Sequence, residues 1–122
     1  MSEIIHIKAE FIIEKNNLEE YKRLINEMSI SVMANEPDTI NYQFFLSEDE
    51  TVCMVHETYK DSQAALHHND GVASKVLLPQ ILKIAKLNRL DVYGTPNQDL
   101  KRILSGINYR AFSLIAGFRR LK

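Results

Sequence analysis

The order in which two hydrophobic periodicities follow each other limits the folds available to this chain. From residue 4 to residue 13, apolar and polar side chains alternate, which is typical of a strand with one buried face. Between residues 18 and 32, apolar side chains recur at steps of three and four, as on one face of a helix. Asn16 or Asn17 can cap the start of this helix, and Pro37 predicts that it ends just before that residue.

The middle of the chain predicts a hairpin and a short helix. Strands are expected at residues 39–46 and 51–59, and the polar turn between them has the length of a hairpin connection, which favours antiparallel pairing. Asp61 can cap a short helix, which Asn69-Asp70-Gly71 then breaks.

A second helix and a fourth strand complete the pattern. The helix is predicted over residues 72–86, with a kink or restart at Pro79, and the strand over residues 87–93. The order strand, helix, strand, strand, helix, strand is that of the α+β ferredoxin-like fold, in which the helices cover one face of a four-stranded antiparallel sheet. We therefore predict one such domain over residues 1–94.

Residues 95–122 form a separate C-terminal extension. A helix is expected from Asn97 to Ser105, with Gly106 as its C-cap. Residues 107–118 are apolar, and an extension of this kind must pack on its own subunit or on a partner subunit.

The strand patterns also assign a face of the sheet to each side chain. Facing the helices, they predict an apolar wall with three polar groups, made of Tyr42, Phe44, Leu46, Val52, Met54, His56 and Thr58. On the opposite face they predict His6, Lys8, Glu10, Ile12, Asn41, Gln43, Phe45, Cys53, Val55, Glu57 and Tyr59. That mixture suits neither water nor a dry core, so we expect a homodimer of facing sheets, with Glu57 in the seam between them.

Charge and hydropathy exclude several kinds of partner. Fifteen Lys and Arg residues against sixteen Asp and Glu residues leave a formal charge of −1, too little to gather nucleic acid or an anionic membrane. The longest apolar stretch, residues 76–90, is interrupted by three basic side chains, so no membrane span is expected. No secretory leader is predicted either, and Cys53 is a lone cysteine, so the sequence favours a cytoplasmic protein.

The chain lacks the motifs of several enzyme classes. It has no glycine-rich phosphate loop, no Gly-x-Ser-x-Gly, no His-Glu-x-x-His and no Cys-x-x-Cys. Cys53 and His56 are three residues apart on one strand and point to opposite faces, so a buried, inert thiol is the favoured interpretation. His67 and His68 are adjacent on a helix and diverge by about 100°, so no metal site is predicted.

The helix-facing wall permits two interpretations. It can be a plain core in which Tyr42 and His56 are hydrogen-bonded, or it can line an apolar cavity in which a few polar groups converge on a small molecule. His68 could overhang such a cavity, and the break at residues 69–71 would form its entrance.

Several of these segments resemble the antibiotic biosynthesis monooxygenase family. The resemblance is carried by residues 36–42 (EPDTINY), 57–62 (ETYKDS) and 64–68 (AALHH). His68 falls where those proteins often carry a histidine. It covers about residues 4–94, and the end of the extension, residues 115–118, resembles a subgroup of quinol monooxygenases.

The resemblance implies a dimeric α/β barrel, consistent with the facing-sheet dimer. It also implies oxygenation of a small phenolic or quinol substrate by O₂ without flavin, haem or metal. A base would remove the phenolic proton, and the anion would then give an electron to O₂ in a dry cavity. On this basis His68 or His56 is the candidate catalytic base, and Tyr42, Phe44, Met54 and Thr58 are candidates for substrate binding.

Two other functions remain open at this point. The same cavity could serve a ligand-binding or sensing module that has no catalytic base. A dimer with a purely structural role is the other alternative, and it would fill the space between Tyr42, His56 and His68 completely.

Overall fold

In the computed structural model, which describes residues 3–120, strands and helices follow each other in nearly the predicted order. The strands are β1 (Ile5–Ile13), β2 (Thr39–Leu46), β3 (Val52–Tyr59), β4 (Ala85–Tyr93) and β5 (Tyr109–Phe112). The helices are α1 (Leu18–Asn35), α2 (Ser62–Asn69), α3 (Leu78–Ile81) and α4 (Gln98–Leu104). A 3₁₀ turn (Lys15–Asn17) precedes α1, and a π-helical turn (Ala73–Leu77) leads into α3.

The strands form one mixed sheet in the order β2-β3-β1-β4-β5. Pairing is antiparallel among the first four strands, which confirms the α+β ferredoxin-like class. The prediction of four strands is wrong, because residues 109–112 of the extension pair in parallel with the free edge of β4. Pairing satisfies the backbone groups that an edge strand otherwise leaves open.

All helices lie on one face of the sheet, where the core forms. The alternation in β1 is confirmed, since its odd-numbered residues are buried against the helices, and α1 buries a stripe at helical spacing. The largest fully buried side chains of this core are Tyr21, Tyr59, Ile5, Ile13, Leu24, Ile81, Val55 and Val92.

The helix ends differ from the sequence prediction in two places. Asn17 occupies the N-cap position of α1, but its side chain makes no capping bond and donates instead to the Ile84 carbonyl at 3.1 Å. The helix predicted over residues 72–86 is shorter, because a new helical segment starts around Pro79 and ends at Ile81, and β4 begins at Ala85. Proline fits the first turn of a helix, where its missing N–H leaves no bond unmade.

The predicted facing of β3 is wrong. Phe11 pairs with Cys53 and Ile7 with Glu57, so Cys53, Val55, Glu57 and Tyr59 face the helices together with the buried side of β1. The other side chains of β3 share the opposite face, here called the outer face, with the polar residues of β1: Val52, Met54, His56 and Thr58. A shift of one residue in register exchanges the two faces of a strand, and β3 has apolar residues at both parities.

The C-terminal extension is anchored at two points in this subunit. Leu100 and Leu104 of α4 are buried, and Asp91 of β4 accepts two hydrogen bonds from Arg110 of β5, at 2.9 and 3.1 Å. Beyond β5 the chain is exposed, and Ile115 is 95% accessible.

None of the helices within residues 3–120 is both long and apolar enough to cross a membrane.

Candidate functional site

A cavity of about 140 Å³ lies between the helix-facing side of the sheet and the helices. Most of its wall is apolar and includes Ile7, Ala9, Phe44, Val55, Leu78 and Leu90. Five residues with proton-exchanging groups also line it: Tyr21, Tyr42, Glu57, Tyr59 and His68. Apolar walls with a few converging polar groups are typical of a small-molecule site.

His68 is held in the cavity wall by a carboxylate. It lies in the last turn of α2, a helix whose start is capped by Asp61, which accepts the Ala64 N–H at 2.9 Å. Its Nδ1 donates to Glu36 Oε1 at 2.6 Å. Glu36 follows the last residue of α1, and its side chain is 3% exposed, against 13% for His68. Because Nδ1 is engaged, Nε2 is the nitrogen left for a bound molecule.

The neighbouring carboxyl groups make the His68 imidazole a stronger base. Burial lowers the pKa of the imidazole, but the hydrogen bond to Glu36 and the charges of Glu57 and Glu36 raise that pKa more, so the net shift is upward. An imidazole paired with a buried carboxylate is oriented and is strengthened as a base.

Glu57 and Tyr59 form a second hydrogen-bonded pair beside His68. The Tyr59 hydroxyl donates to Glu57 Oε1. Burial raises the pKa of the Glu57 carboxyl, and the charge of Glu36 adds to the shift, while His68 and Tyr59 oppose it. Tyr59 also has its pKa raised, first by burial and then by Glu57, so its hydroxyl keeps its proton.

Aromatic rings surround the imidazole. The ring centroids of Tyr42 and Tyr59 lie 5.3 and 5.5 Å from that of His68, and Phe44 packs edge-on against Tyr42 at 5.1 Å. Burial raises the pKa of Tyr42 as well, so at neutral pH it is a hydrogen-bond donor.

A sequence model of a known family matches residues 4–77, which is more than half of the chain, and its description is antibiotic biosynthesis monooxygenase. The chain belongs to this family. The match includes Glu36, Glu57 and His68, whereas α4 and β5 lie beyond it. No curated protein matches the chain.

Solved structures show that the chain has the family's fold. MupZ from Pseudomonas fluorescens superposes with a TM-score of 0.81 at 24% identity, covering 96% of this chain and 94% of MupZ. A Caulobacter crescentus protein, provisionally named an antibiotic biosynthesis monooxygenase, gives 0.67 at 22% identity, covering 75% of this chain and 86% of its own. A conserved protein from Methanosarcina mazei Go1 gives 0.67 at 16% identity, with 74% and 90% covered. At these identities the likeness concerns the fold alone.

Three of the six predicted site residues meet at the cavity of this family member. Tyr42, Phe44 and His68 line it together, as the sequence predicts.

The structure does not bring the other three predicted site residues to the cavity. His56, Met54 and Thr58 lie on the outer face because the facing of β3 is opposite to the prediction. There the His56 ring lies 4.8 Å from that of Phe45, and Thr58 is hydrogen-bonded to His6 at 3.0 Å.

Sequence reasoning missed three polar residues of the site: Glu36, Glu57 and Tyr59. The strand pattern predicts Glu57 and Tyr59 on the outer face. They lie four and six residues after Cys53 on the same strand and so share its face, and the expected burial of that thiol was the one sign that this face is the buried one. Glu36 gave no signal, because a polar residue before a proline is ordinarily just a helix end.

No group of three or more His, Cys, Asp or Glu side chains within residues 3–120 is placed to hold a metal ion.

Proposed function

We propose that this family member is a monooxygenase that oxidises a phenolic or quinol compound with a single ring, using O₂ and the substrate's own electrons. The observation that carries the proposal is that His68 lines an apolar cavity and is hydrogen-bonded to the buried carboxyl group of Glu36. A base with a tuned pKa and a water-poor pocket are the two things that this chemistry asks of a protein.

The size of the cavity supports a substrate with one ring. Its volume is about 140 Å³, and an engineered apolar cavity of roughly 150 Å³ is known to hold benzene. Phe44 and the neighbouring aliphatic residues offer the ring an apolar surface, while Tyr42 can donate a hydrogen bond to a ring oxygen.

The proposed reaction starts with transfer of a phenolic proton to His68 Nε2, where Glu36 stabilises the resulting imidazolium. The phenolate passes one electron to O₂, and the two radicals combine to form a carbon–oxygen bond at the ring. The peroxide anion formed in this way takes the proton back from the His68 imidazolium. The resulting hydroperoxide then eliminates water, which leaves one oxygen atom as a carbonyl of the quinone product. One atom of O₂ thus enters the product and the other leaves as water.

The outer face supports a homodimer as part of the same proposal. It exposes Phe45, at 49% accessibility, beside Ile12, Val52 and Met54, and it also carries Lys8. A second copy packed on this face would cover the apolar side chains, while leaving the cavity on the helix side of each subunit.

Oxygen consumption by the purified protein with a panel of hydroquinones and phenols tests the proposal. We expect uptake in the wild type, and a loss of about 100-fold or more in His68→Gln, the usual range for removal of a general base. His67→Gln is the matched control, because His67 is the exposed neighbour on the same helix. His56→Gln tests the histidine of the outer face, the second candidate base.

Metal removal separates this chemistry from a metal-dependent one. We expect the same rate before and after treatment with a chelator. The proposal fails if the wild type consumes no oxygen with any member of the panel, or if His56→Gln loses activity and His68→Gln keeps it. Ligand binding without uptake would favour a binding or sensing module.

A further inference from the structure

The acidic groups at the cavity outnumber the basic groups. Two carboxyl groups, those of Glu36 and Glu57, face one imidazole, that of His68. Among the described residues that line the cavity, none is Lys or Arg. An anionic ligand would therefore find no permanent cation, and it would add a third acid group to a site with one base.

Glu57 has one oxygen available to a ligand. Its Oε1 accepts the Tyr59 hydroxyl, and its Oε2 makes no hydrogen bond with the described residues. Because Glu57 lines the cavity, a ligand that offers a hydrogen-bond donor can bond to this oxygen.

Glu57 and His68 both line the cavity, and both are neighbours of Tyr59. Tyr59 contacts both, because its hydroxyl is bonded to Glu57 while its ring centroid is 5.5 Å from that of His68. A ligand with a single ring can therefore reach both groups with two different substituents.

From this geometry we propose that Glu57 is a specificity-determining residue that restricts the cavity to uncharged compounds with one ring and two hydroxyl groups. One hydroxyl donates to His68 Nε2, and the other donates to Glu57 Oε2. Compounds in which a carboxylate replaces the second hydroxyl are rejected, because that carboxylate would lie against the Glu57 carboxyl group in a cavity lined by no Lys or Arg among the described residues. The inference deepens the proposed function and rests on it for the role of His68.

Calorimetric binding without oxygen tests this inference separately from catalysis. The ligands are hydroquinone, phenol, 4-hydroxybenzamide and 4-hydroxybenzoate, of which the last two have nearly the same shape and differ in charge. The proteins are the wild type, Glu57→Gln and Glu48→Gln. Glu48 lies in the exposed turn between β2 and β3, so it controls for a change in net charge.

In the wild type we expect hydroquinone to bind about ten-fold more tightly than phenol, and 4-hydroxybenzamide at least ten-fold more tightly than 4-hydroxybenzoate; each factor of ten corresponds to about 1.4 kcal/mol. Glu57→Gln should reduce the preference for 4-hydroxybenzamide over 4-hydroxybenzoate by about ten-fold. Glu48→Gln should leave both preferences unchanged.

Equal affinity of the wild type for the amide and the carboxylate would overturn the inference, as would an unchanged ratio in Glu57→Gln or no binding of any ligand. Even if Glu57→Gln does not fold, the wild-type ratio can still overturn the inference. If the protein binds the ligands with these ratios but consumes no oxygen, the proposed oxygenation is wrong and the role of Glu57 in ligand selection stands. If the protein consumes oxygen but does not discriminate between these ligands, the role of Glu57 is wrong and the oxygenation stands.

Discussion

At the scale of single residues, the site depends on a contact between two side chains that are 32 positions apart, Glu36 and His68. The carboxylate fixes the imidazole through Nδ1 and raises its pKa against the opposing effect of burial. Tyr42 and Tyr59 pack around the imidazole, and the Tyr59 hydroxyl is hydrogen-bonded to Glu57. Substitutions of Glu36 should therefore change the titration of His68 and not only the melting temperature of the protein.

Glu36→Gln should lower the pKa of His68, because the amide cannot supply the charge that favours the imidazolium. A raised pKa in the folded state contributes stability below the ordinary pKa of 6.5, and this contribution is lost as pH rises through the folded value. The variant should therefore lose more stability at pH 6 than at pH 9, by about 1–3 kcal/mol at the lower pH. Titration by NMR and urea unfolding at both pH values measure this, and an unchanged His68 titration would contradict it.

Gly71 leaves room for the Glu36 carboxylate. A Cβ at this position would lie 2.9 Å from Glu36 Oε2 and 3.4 Å from the His68 carbonyl oxygen. Gly71→Ala should therefore displace the carboxylate, destabilise the protein by about 1–3 kcal/mol and reduce oxygen uptake.

Gly106→Ala is the control for this substitution, because the nearest atom there is the Ile103 carbonyl oxygen at 3.7 Å. Thermal unfolding and oxygen uptake of both variants make the comparison. Equal behaviour of the two would show that Gly71 has no special role at the site.

At the scale of elements, the strands and helices show what a sequence pattern can and cannot decide. β1 was predicted correctly because its two faces differ sharply in polarity. β3 was not, because Val52 and Met54 compete with Cys53 and Val55 for the buried side, and pairing with β1 settles the choice. Tyr42, Phe44 and His68 were predicted as site residues since they lie on β2 and α2, whose facing was correct.

The pairing of β5 with β4 depends on a charge contact that could not be predicted from local sequence. Asp91 is buried, with a side chain 8% exposed, and it accepts hydrogen bonds from Arg89 and Arg110. Arg110→Ala leaves that carboxylate with one cation, so we expect a loss of stability of about 1–2 kcal/mol and faster hydrogen exchange in β5.

Arg102→Ala is the matched control for the Arg110 variant. Arg102 pairs with Asp99 at the surface of α4, where both side chains are well exposed. Such a pair contributes about 0–1 kcal/mol. If the two variants were equally stable, the contact with Asp91 would not hold β5 in place.

At the scale of the whole molecule, the order of elements was enough to predict the fold class, because few topologies accommodate that order. The parallel fifth strand was not predictable, since a short apolar segment at the end of a chain can pair with an edge or cover a surface equally well. The sequence does not predict whether there is a cavity, because composition alone does not distinguish a filled core from a lined space.

The proposed dimer predicts a mass of twice the 14.1 kDa of the chain in light scattering. Phe45→Glu, at an exposed position on the outer face, should shift the protein towards the monomer by placing a charge in the buried seam. Met33→Glu is the control, because Met33 is exposed on α1, away from the outer face. A monomeric wild type would contradict the dimer.

The position of the bound ring tests the central claim most directly. A crystal structure of the protein with hydroquinone, prepared without oxygen, should show the ring between the sheet and the helices, with one hydroxyl within hydrogen-bonding distance of His68 Nε2. A ring bound on the outer face, or a ring in the cavity with both hydroxyls turned away from His68, would contradict the account.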